Sequence, residues 1–389
     1  MKNDSRNGPH KPQVIDLFAG VGGLSLGAVR AGFELALAVE LDKHAFAAHK
    51  KNFPNFKHAP NDIASLDGQA LLKIAGLSRG NLDGLIGGPP CQGFSVMGHR
   101  SAVDPRNNLF VKFFDLVSHC RPKFFVAENV LGILDEQYDE IRSQAMSLVK
   151  NEYILLDPMR FRASDFGAPT SRERVFFIGY RKKKLRKLTV EAFESGKTQD
   201  QVNVRQALYG LPNLIEADWQ TEEQSWRRIR PMPCSAYSRS VEGRIPERVG
   251  DSEAIRRLFE QNEVSGCFGT RHTEAVRARF QRVAAGKRDR ISKAVRLNPD
   301  GLCPTLLAGT DATRGSYQAV RPIHPSESRV ITPREAARLQ GFPDWFQFSP
   351  TKWHSFRQIG NSVSPIVAEA VFSVLFEYMQ PNRAEATHE

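Results

Sequence analysis

Cysteine is sparse in this sequence, and long apolar runs are missing. Five of the 389 residues are cysteine, their number is odd, and none of them forms a C-x-x-C pair. A disulfide framework or a structural zinc site is therefore not expected, and a reducing cytoplasm is the natural location. We see no apolar run long enough to cross a bilayer. The polar N-terminal residues 1–12 lack an apolar signal core and are expected to form a flexible tail.

Acidic residues are under-represented in one part of the chain. The formal net charge is +11, and residues 181–300 contain 25 Lys and Arg against 16 Asp and Glu, which leaves +9 in that segment alone. A concentrated basic excess favours a polyanionic partner, most simply nucleic acid. A solvated basic surface explains the composition equally well, so composition alone leaves both interpretations open.

Short apolar strands alternate with helical segments over the first half of the chain. Strands are predicted at 14–18, 34–40, 82–86 and 123–129, in a short segment ending near Asp62, and in YILLDPMRF and RVFFIGY. Continuous apolar strands separated by helices are typical of a mostly parallel sheet that is covered on both faces. We therefore predict an α/β, Rossmann-like, doubly wound domain.

The length of the chain suggests two domains rather than one. After the basic junction RKKKLRK the periodicity is weak and Gly and Pro are scattered, which predicts a second, smaller, loop-rich domain. The predicted divisions are a tail at 1–12, a first domain at 13–184, the second domain at 185–325, a returning helical segment at 326–363, and a C-terminal helical segment at 364–389 that packs on the first domain.

A glycine-rich turn follows the first predicted strand in DLFAGVGGLSLG. Gly20, Gly22 and Gly23 let the backbone approach a ligand closely, as in strand–turn–helix units that bind adenosine-type cofactors. Glu40 ends the next strand, where an acid can accept hydrogen bonds from both hydroxyls of a ribose. Ser25 occupies the last glycine position of G-x-G-x-x-G, which disfavours a pyrophosphate-binding dehydrogenase without excluding it. A tight turn that binds no ligand is the alternative.

Cys91 is enclosed in a stiff frame, GGPPCQGFS. Two glycines allow close approach, and two prolines fix their φ angles at the carboxyl end of the fourth strand, where α/β folds bind ligands. A thiol held in this way can act as a nucleophile with little loss of entropy, provided that its surroundings or the substrate activate it. A buried apolar cysteine would not need such a frame, so this alternative is weak.

Charged residues are expected at the same edge of the sheet. Glu128 ends the fifth strand in AENV and should lie beside Cys91, where a carboxyl group with a raised pKa can donate a proton. A capping carboxylate is the alternative. Arg172 and Arg174 of TSRER are two residues apart at a strand start, so both should point to one face. They could hold Glu128, the ligand or a phosphate, or form a surface salt bridge.

A loop rich in Gly, Asn and Ser is predicted at RQIGNSVSP, residues 357–365, before the last helix. Its backbone could contact the cofactor. The alternative is a simple helix cap made by the side chain of Ser362 or Ser364.

In this order the motifs closely resemble those of the cytosine-C5 DNA methyltransferase family, of the bacterial modification methylase type. The resemblance rests on DLFAGVGG, Glu40, the Asp62-Ile63 pair, GPPCQGFS, ENV, the Arg-x-Arg of TSRER, REAARLQGFP and GNSV. It covers roughly residues 13–180 and 325–375, and the segment between them corresponds to the variable target-recognition segment of the family. GPPCQGFS, ENV and GNSV in this order are a highly specific combination.

The resemblance implies a methyltransferase fold that uses S-adenosyl-L-methionine on double-stranded DNA. Cys91 would add to C6 of an extruded cytosine, Glu128 would hydrogen-bond N3 and the amino group, and C5 would receive the methyl group. Arg172 and Arg174 would orient Glu128 and the nucleotide. The implied cofactor contacts are Phe18, Gly20, Gly22, Glu40, Leu41, Asp62, Ile63, Pro90, Leu109, Asn361, Ser362 and Val363. The implied DNA contacts are Gln92, Ser95 and, on a weaker signal, Thr305 and Leu306.

The resemblance also sets the remaining expectations. We expect no metal and no membrane, a monomer, a bacterial cytoplasmic and nucleoid-associated location, and a restriction-modification system. One departure is Thr170, which stands where the family usually has Gln. A tRNA cytosine-5 methyltransferase shares the catalytic motifs, but the long basic insertion favours DNA. A non-catalytic DNA-binding regulator is disfavoured because all the catalytic residues are present.

Overall fold

A mixed, mostly parallel sheet forms the centre of the protein. The computed structural model describes residues 11–90, 108–198, 200–215, 226–243, 245–308 and 320–380. The strands of the main sheet are β1 (Gln13–Leu17), β2 (Glu34–Val39), β3 (His58–Ala59), β4 (Gly84–Gly87), β5 (Phe124–Asn129), β6 (Tyr153–Leu155), β7 (Met159–Arg162) and β8 (Glu173–Arg181). Two further short strands, β9 (Arg227–Arg228) and β10 (Glu263–Val264), pair with each other.

The strand order in the main sheet is β3-β2-β1-β4-β5-β8-β6, and β7 also pairs with β8. Strands β1 to β5 are parallel, whereas β8 runs antiparallel to its neighbours β5, β6 and β7. The chain leaves β1 toward β2 and later returns to the other side of β1 as β4. Ligands bind outside the carboxyl ends of the strands at such a reversal. The predicted fold class is confirmed.

Helices cover the sheet, and further helices follow its last strand, β8. They are α1 (Gly23–Arg30), α2 (Lys43–Asn52), α3 (Gly68–Ala75), α4 (Asn108–Cys120), α5 (Asp139–Ser147), α6 (Val190–Glu194), α7 (Val204–Leu208), α8 (Ala236–Glu242), α9 (Ser252–Arg256), α10 (Glu274–Gln281), α11 (Pro333–Leu339), α12 (Lys352–Asn361) and α13 (Pro365–Met379). All four residues of β4 and all six of β5 are buried, as expected for central strands covered on both faces.

Helix α13 packs closely against α1. Gly27 of α1 makes this possible, because a Cβ atom there would lie 2.3 Å from the Cβ atom of Ala368 and 2.5 Å from the backbone nitrogen of Glu369. Among the described residues, the helical stretch Lys352–Met379 is long and apolar enough to cross a membrane, which qualifies the expectation of no such run. The stretch is mostly buried, however, as the core helices of globular proteins are.

The predicted loop at residues 357–365 is wrong over most of its length. Helix α12 continues to Asn361, so only Ser362 to Ser364 separate it from α13. The side chain of Ser364 makes no capping hydrogen bond, and the hydroxyl of Ser362 donates to the carbonyl of Val363 at 3.1 Å. The alternative of a serine side-chain cap is therefore also wrong.

Helix α11 is buried on every side, although its sequence, PREAARL, is rich in charge. The guanidinium of Arg338 pairs with Asp344 at 2.6 Å, and both side chains are fully buried. Arg334 donates to the carbonyls of Ser265 and Phe346 at 2.8 and 2.9 Å. The bond to Ser265 joins α11 to the predicted second domain, whose boundaries stay a prediction.

Candidate active site

A cavity of about 570 Å³ lies outside the carboxyl ends of the central strands. Its wall contains the turn after β1, the start of the segment after β2, the residues that follow β4, the end of β5, and part of α12. Of the residues predicted to bind the cofactor, those that line it are Phe18, Gly20, Glu40, Leu41, Asp62, Ile63, Pro90, Leu109, Asn361, Ser362 and Val363. The structure thus brings together residues that are up to 345 positions apart in the sequence, from 18 to 363.

The turn after β1 depends on glycine at three positions. Gly20 and Gly22 have φ angles of 57° and 105°, in the left-handed region that favours glycine. A Cβ atom on Gly23 would lie 2.4 Å from the carbonyl oxygen of Val363, so glycine lets the segment before α13 close over the turn. Gly22 does not line the cavity. A Cβ atom there would lie 2.5 Å from the ring of Phe53, so Gly22 allows the turn to pack on α2.

The carboxylate of Glu40 is held by the backbone. One oxygen accepts from the N–H of Gly20 and the other from the N–H of Asp42, both at 2.7 Å. Burial raises the pKa of Glu40, and these hydrogen bonds oppose the shift. Each oxygen retains a lone pair, so the carboxylate can still accept hydrogen bonds from two neighbouring hydroxyl groups of a ligand.

Glu128 and Arg174 form a buried ion pair at the edge of the cavity. Arg174 Nε lies 2.9 Å from Glu128 Oε1, and the two side chains are 16% and 9% exposed. Burial raises the pKa of Glu128, and the nearby charges of Arg174 and Arg172 oppose the shift. A Cβ atom on Gly88 would lie 3.0 Å from the other carboxylate oxygen of Glu128, so the acid lies directly against the frame that leads to Cys91.

Three predicted residues of this frame cannot be placed. Cys91, Gln92 and Ser95 lie outside the described residues. The frame itself is tied to the end of β5, because the side-chain amide of Asn129 donates to the carbonyl of Pro89 at 3.3 Å. Asn129 was not predicted, although its place beside Glu128 in the ENV motif is a signal that could have found it.

Arg172 has different partners from Arg174. Its buried guanidinium donates to the carbonyls of Leu306 and Gly360, at 3.2 and 2.8 Å. The hydroxyl of Thr170, which replaces the usual Gln, is buried and accepts from the N–H of Arg172 at 3.3 Å. Arg172 therefore joins three distant segments, whereas Arg174 holds the acid.

The Thr305-Leu306 pair lies beside this junction. The backbone of the chain around Cys303 pairs with residues 169–171, and the side chain of Leu306 is buried. Thr305 is half-buried. Of the two, Thr305 is the residue whose side chain retains access to a ligand.

Polar side chains from α2 and α12 complete the cavity, and the sequence did not point to them. The rings of His44 and His354 stack with their centres 3.5 Å apart. The amide of Gln358 donates to the carbonyl of His44 at 3.0 Å, and Arg357 lies 3.5 Å from the carboxylate of Asp42. A helical spacing across 352–361 was the signal for the residues of α12, but residues 357–365 were interpreted as a loop.

Comparison with known proteins identifies the family. The family described as C-5 cytosine-specific DNA methylase matches residues 12–377. The chain belongs to this family. It is 39% identical over 367 residues to the Type II methyltransferase M.XorII of Xanthomonas oryzae, a match that covers 93% of this chain and 84% of the relative. It is 33% identical to the Type II methyltransferase M.DdeI of Desulfomicrobium norvegicum, with coverage of 94% and 89%.

Solved structures agree with this assignment. A crystal structure titled as a DNA modification methyltransferase encoded within an E. coli prophage matches with a TM-score of 0.86 and 49% identity. The match covers 95% of this methylase and 99% of that chain. The S. pombe Dnmt2 methyltransferase, at 18% identity and a TM-score of 0.62 over 94% and 99% of the two chains, shares the fold. The predicted family, and the predicted activity as a DNA cytosine-5 methyltransferase, are confirmed.

Proposed function

We propose that this methylase acts on a cytosine extruded from double-stranded DNA, with S-adenosyl-L-methionine as methyl donor. The observation that carries the proposal is the position of Glu128. It lies at one edge of the cavity, against the Gly88 backbone that leads to Cys91, and Arg174 holds its carboxylate. An acid of raised pKa at the edge of a cofactor-sized cavity, against the segment that leads to a cysteine, suits this reaction.

The cavity suits S-adenosyl-L-methionine in size and chemistry. Its volume of about 570 Å³ is in the range of small-molecule sites. Glu40 would accept from ribose hydroxyls, and Asp62 would accept from the adenine amino group. Leu41, which is 62% exposed, would contact the base. The family's remaining cofactor positions, except Gly22, lie in the same wall and include Phe18 and Val363. Bound here, the cofactor would supply an electrophilic methyl group.

Cys91 and Glu128 would then activate the base together. C5 of cytosine is a weak nucleophile, so the thiolate of Cys91 would add to C6 and make C5 electron-rich. Glu128 would donate a hydrogen bond to N3, which stabilises the negative charge that develops during this addition. Transfer of the methyl group to C5 would release S-adenosyl-L-homocysteine. The C5 proton would then pass to water, the electrons of the C5–H bond would restore the C5–C6 double bond, and Cys91 would leave C6 as a thiolate.

The two arginines would act on this centre in different ways, Arg174 by direct contact and Arg172 through the backbone. Arg174 would hold the carboxyl group of Glu128 in place through their contact of 2.9 Å. Arg172 would position the segments around Leu306 and Gly360, because it bonds their carbonyl oxygens. Removing either side chain is expected to lower activity. The loss of Arg172 would act by shifting the backbone that it holds.

The DNA would lie against residues 185–325, which we assign as a target-recognition domain following the catalytic domain at 13–184. The +9 charge of residues 181–300 supports this assignment, because Lys and Arg can neutralise backbone phosphates. Gln92, Ser95 and Thr305 would contact the nucleotides around the extruded base. We also propose that the protein is monomeric and cytoplasmic, and belongs to a restriction-modification system, as the names of its Type II relatives suggest.

Transfer of a labelled methyl group tests the proposal. The wild-type protein should label duplex DNA and not tRNA, with the label recovered as 5-methylcytosine. Cys91→Ser should abolish the transfer, whereas Cys234→Ser, an exposed cysteine outside the cavity, should retain it. Labelling of tRNA alone would contradict the assignment of the substrate, and a fully active Cys91→Ser variant would contradict the mechanism.

A further inference from the structure

A chain of four polar side chains runs beneath the glycine-rich turn after β1, which we call the cofactor turn. The Oγ atom of Ser25 lies 2.6 Å from Oδ2 of Asp16 and 3.1 Å from Nε2 of His49. Nδ1 of His49 lies 2.9 Å from Nε2 of His58, and Nδ1 of His58 lies 3.0 Å from the carbonyl oxygen of Phe56. Four consecutive hydrogen bonds therefore connect a carboxyl group to a backbone carbonyl.

The four side chains come from four elements that surround the turn. Asp16 is on β1, Ser25 is in the first turn of α1, His49 is on α2 and His58 is on β3. The first three are 0 to 1% exposed, and His58 is partly exposed at the other end. The ring of His49 also supports the turn directly, because a Cβ atom on Gly22 would lie 3.1 Å from it. The chain thus holds β1, α1 and α2 together where the turn connects them.

The hydrogen bonds need one more proton than neutral side chains and an ionised carboxylate supply. Each of the four bonds contains one hydrogen, and the carbonyl of Phe56 can only accept. The Ser25 hydroxyl supplies one hydrogen and each neutral imidazole supplies one, which makes three. The fourth must sit on the carboxyl group of Asp16 or on an imidazole. With this proton on Asp16, all donors point the same way, from Asp16 toward Phe56. With it on an imidazole, Ser25 would donate to Asp16 instead.

The surroundings place this proton on Asp16. Burial raises the pKa of Asp16 to about 7, and the charge of Glu40 adds to this shift. The hydrogen bond that Ser25 can donate to the ionised carboxylate opposes the shift. Burial lowers the pKa of His49 well below its usual value, and His58 adds to this shift. Burial also lowers the pKa of His58; the Phe56 carbonyl opposes this shift and Lys50 adds to it. The acid therefore holds the proton more readily than either imidazole.

We propose that Asp16, Ser25, His49 and His58 form a proton-sharing clamp that positions the cofactor turn only while Asp16 carries the fourth proton. Loss of that proton would leave two acceptors facing each other across one of the bonds, and the clamp would loosen. These four are positioning residues, since none of them lines the cavity. The inference about cofactor binding rests on the proposed function, whereas the proton count does not.

Calorimetric binding of S-adenosylhomocysteine between pH 6 and 9 tests the role in positioning. Asp16→Asn places an amide N–H where the acid proton would be, so its affinity should not change across this range. The wild-type affinity should fall as the pH rises, by about three- to tenfold for one lost hydrogen bond. Ser25→Ala should show the weaker affinity at every pH. Glu40 remains in all three proteins, so a wild-type pH profile in Asp16→Asn would overturn the proposal.

Nitrogen-15 NMR of the imidazoles at pH 6 tests the proton count without any cofactor. His49 and His58 should each be neutral and protonated at Nδ1, with assignments from His49→Gln and His58→Gln. Protonation of Nε2 on either ring would overturn the proposal. If the NMR pattern is as expected but S-adenosylhomocysteine does not bind, the clamp stands as a proton-sharing chain and the assignment of the cofactor fails.

Discussion

Replacing Arg174 with alanine should make the stability of this methylase depend on the protonation of Glu128. The pair is buried, with its nearest charged atoms 2.9 Å apart. Without Arg174 the Glu128 carboxylate would be buried without a counter-charge. If it stays ionised, this lowers the free energy of unfolding by about 3–5 kcal/mol. Glu128 can avoid this cost by taking up a proton, and its pKa should rise further, because Arg174 opposes the rise that burial causes.

The direction of this pH dependence follows from the linkage between proton binding and folding. The unfolded chain releases the Glu128 proton near pH 4.3, whereas the native variant would hold it to a higher pH than native wild type does. The variant should therefore lose stability relative to wild type as the pH rises above the native wild-type pKa. The loss should be at most about 1.4 kcal/mol per pH unit. It should level off at about 3–5 kcal/mol, when the native carboxylate ionises without a partner.

Urea unfolding from pH 5 to pH 9 measures this loss. The double variant with Arg174→Ala and Glu128→Gln should show little of the pH dependence, since the amide cannot ionise. Arg162→Ala is a matched control, because Arg162 makes a partly exposed pair with Glu173 at 3.7 Å and should cost under about 1 kcal/mol. A constant loss at every pH, or equal pH dependence in the single and double variants, would refute the reasoning.

Three further predictions concern packing and the cofactor. Gly27→Ala should cost about 1–3 kcal/mol in urea unfolding, because its Cβ atom would lie 2.5 Å from the backbone of α13; Gly286→Ala, with nothing within 4 Å, should cost only about 1–2 kcal/mol of backbone strain. Glu40→Gln should weaken calorimetric binding of S-adenosylhomocysteine about 10- to 100-fold, through the loss of charged hydrogen bonds, and an unchanged affinity would exclude Glu40 from the site. Arg338→Leu should cost about 3–5 kcal/mol by leaving Asp344 buried without its ion pair, and Asp344→Leu in the same chain should recover much of that stability.

The sequence determined the features that depend on local backbone requirements. The strand–turn–helix with Gly20, the position of Glu40 at the end of the next strand, and Glu128 at the end of β5 were predicted from short segments. Each of these residues lies in the cavity wall. They could be predicted because a buried strand is a continuous apolar run and a left-handed turn favours glycine. The order of the motifs then indicated the family.

The tertiary structure alone decided which distant groups meet. The sequence treated Arg172 and Arg174 alike, but folding gives one of them two backbone carbonyls and the other a carboxylate. The end of α12 was missed because the Gly, Asn and Ser residues of 357–365 are typical of a loop. Only the folded structure shows that this segment is helical and lies in the wall of the cavity. The chain from Asp16 to His58 crosses four elements, so no local pattern reveals it. Burial and long-range contact set these hydrogen bonds and pKa values, and both exist only once the chain has folded.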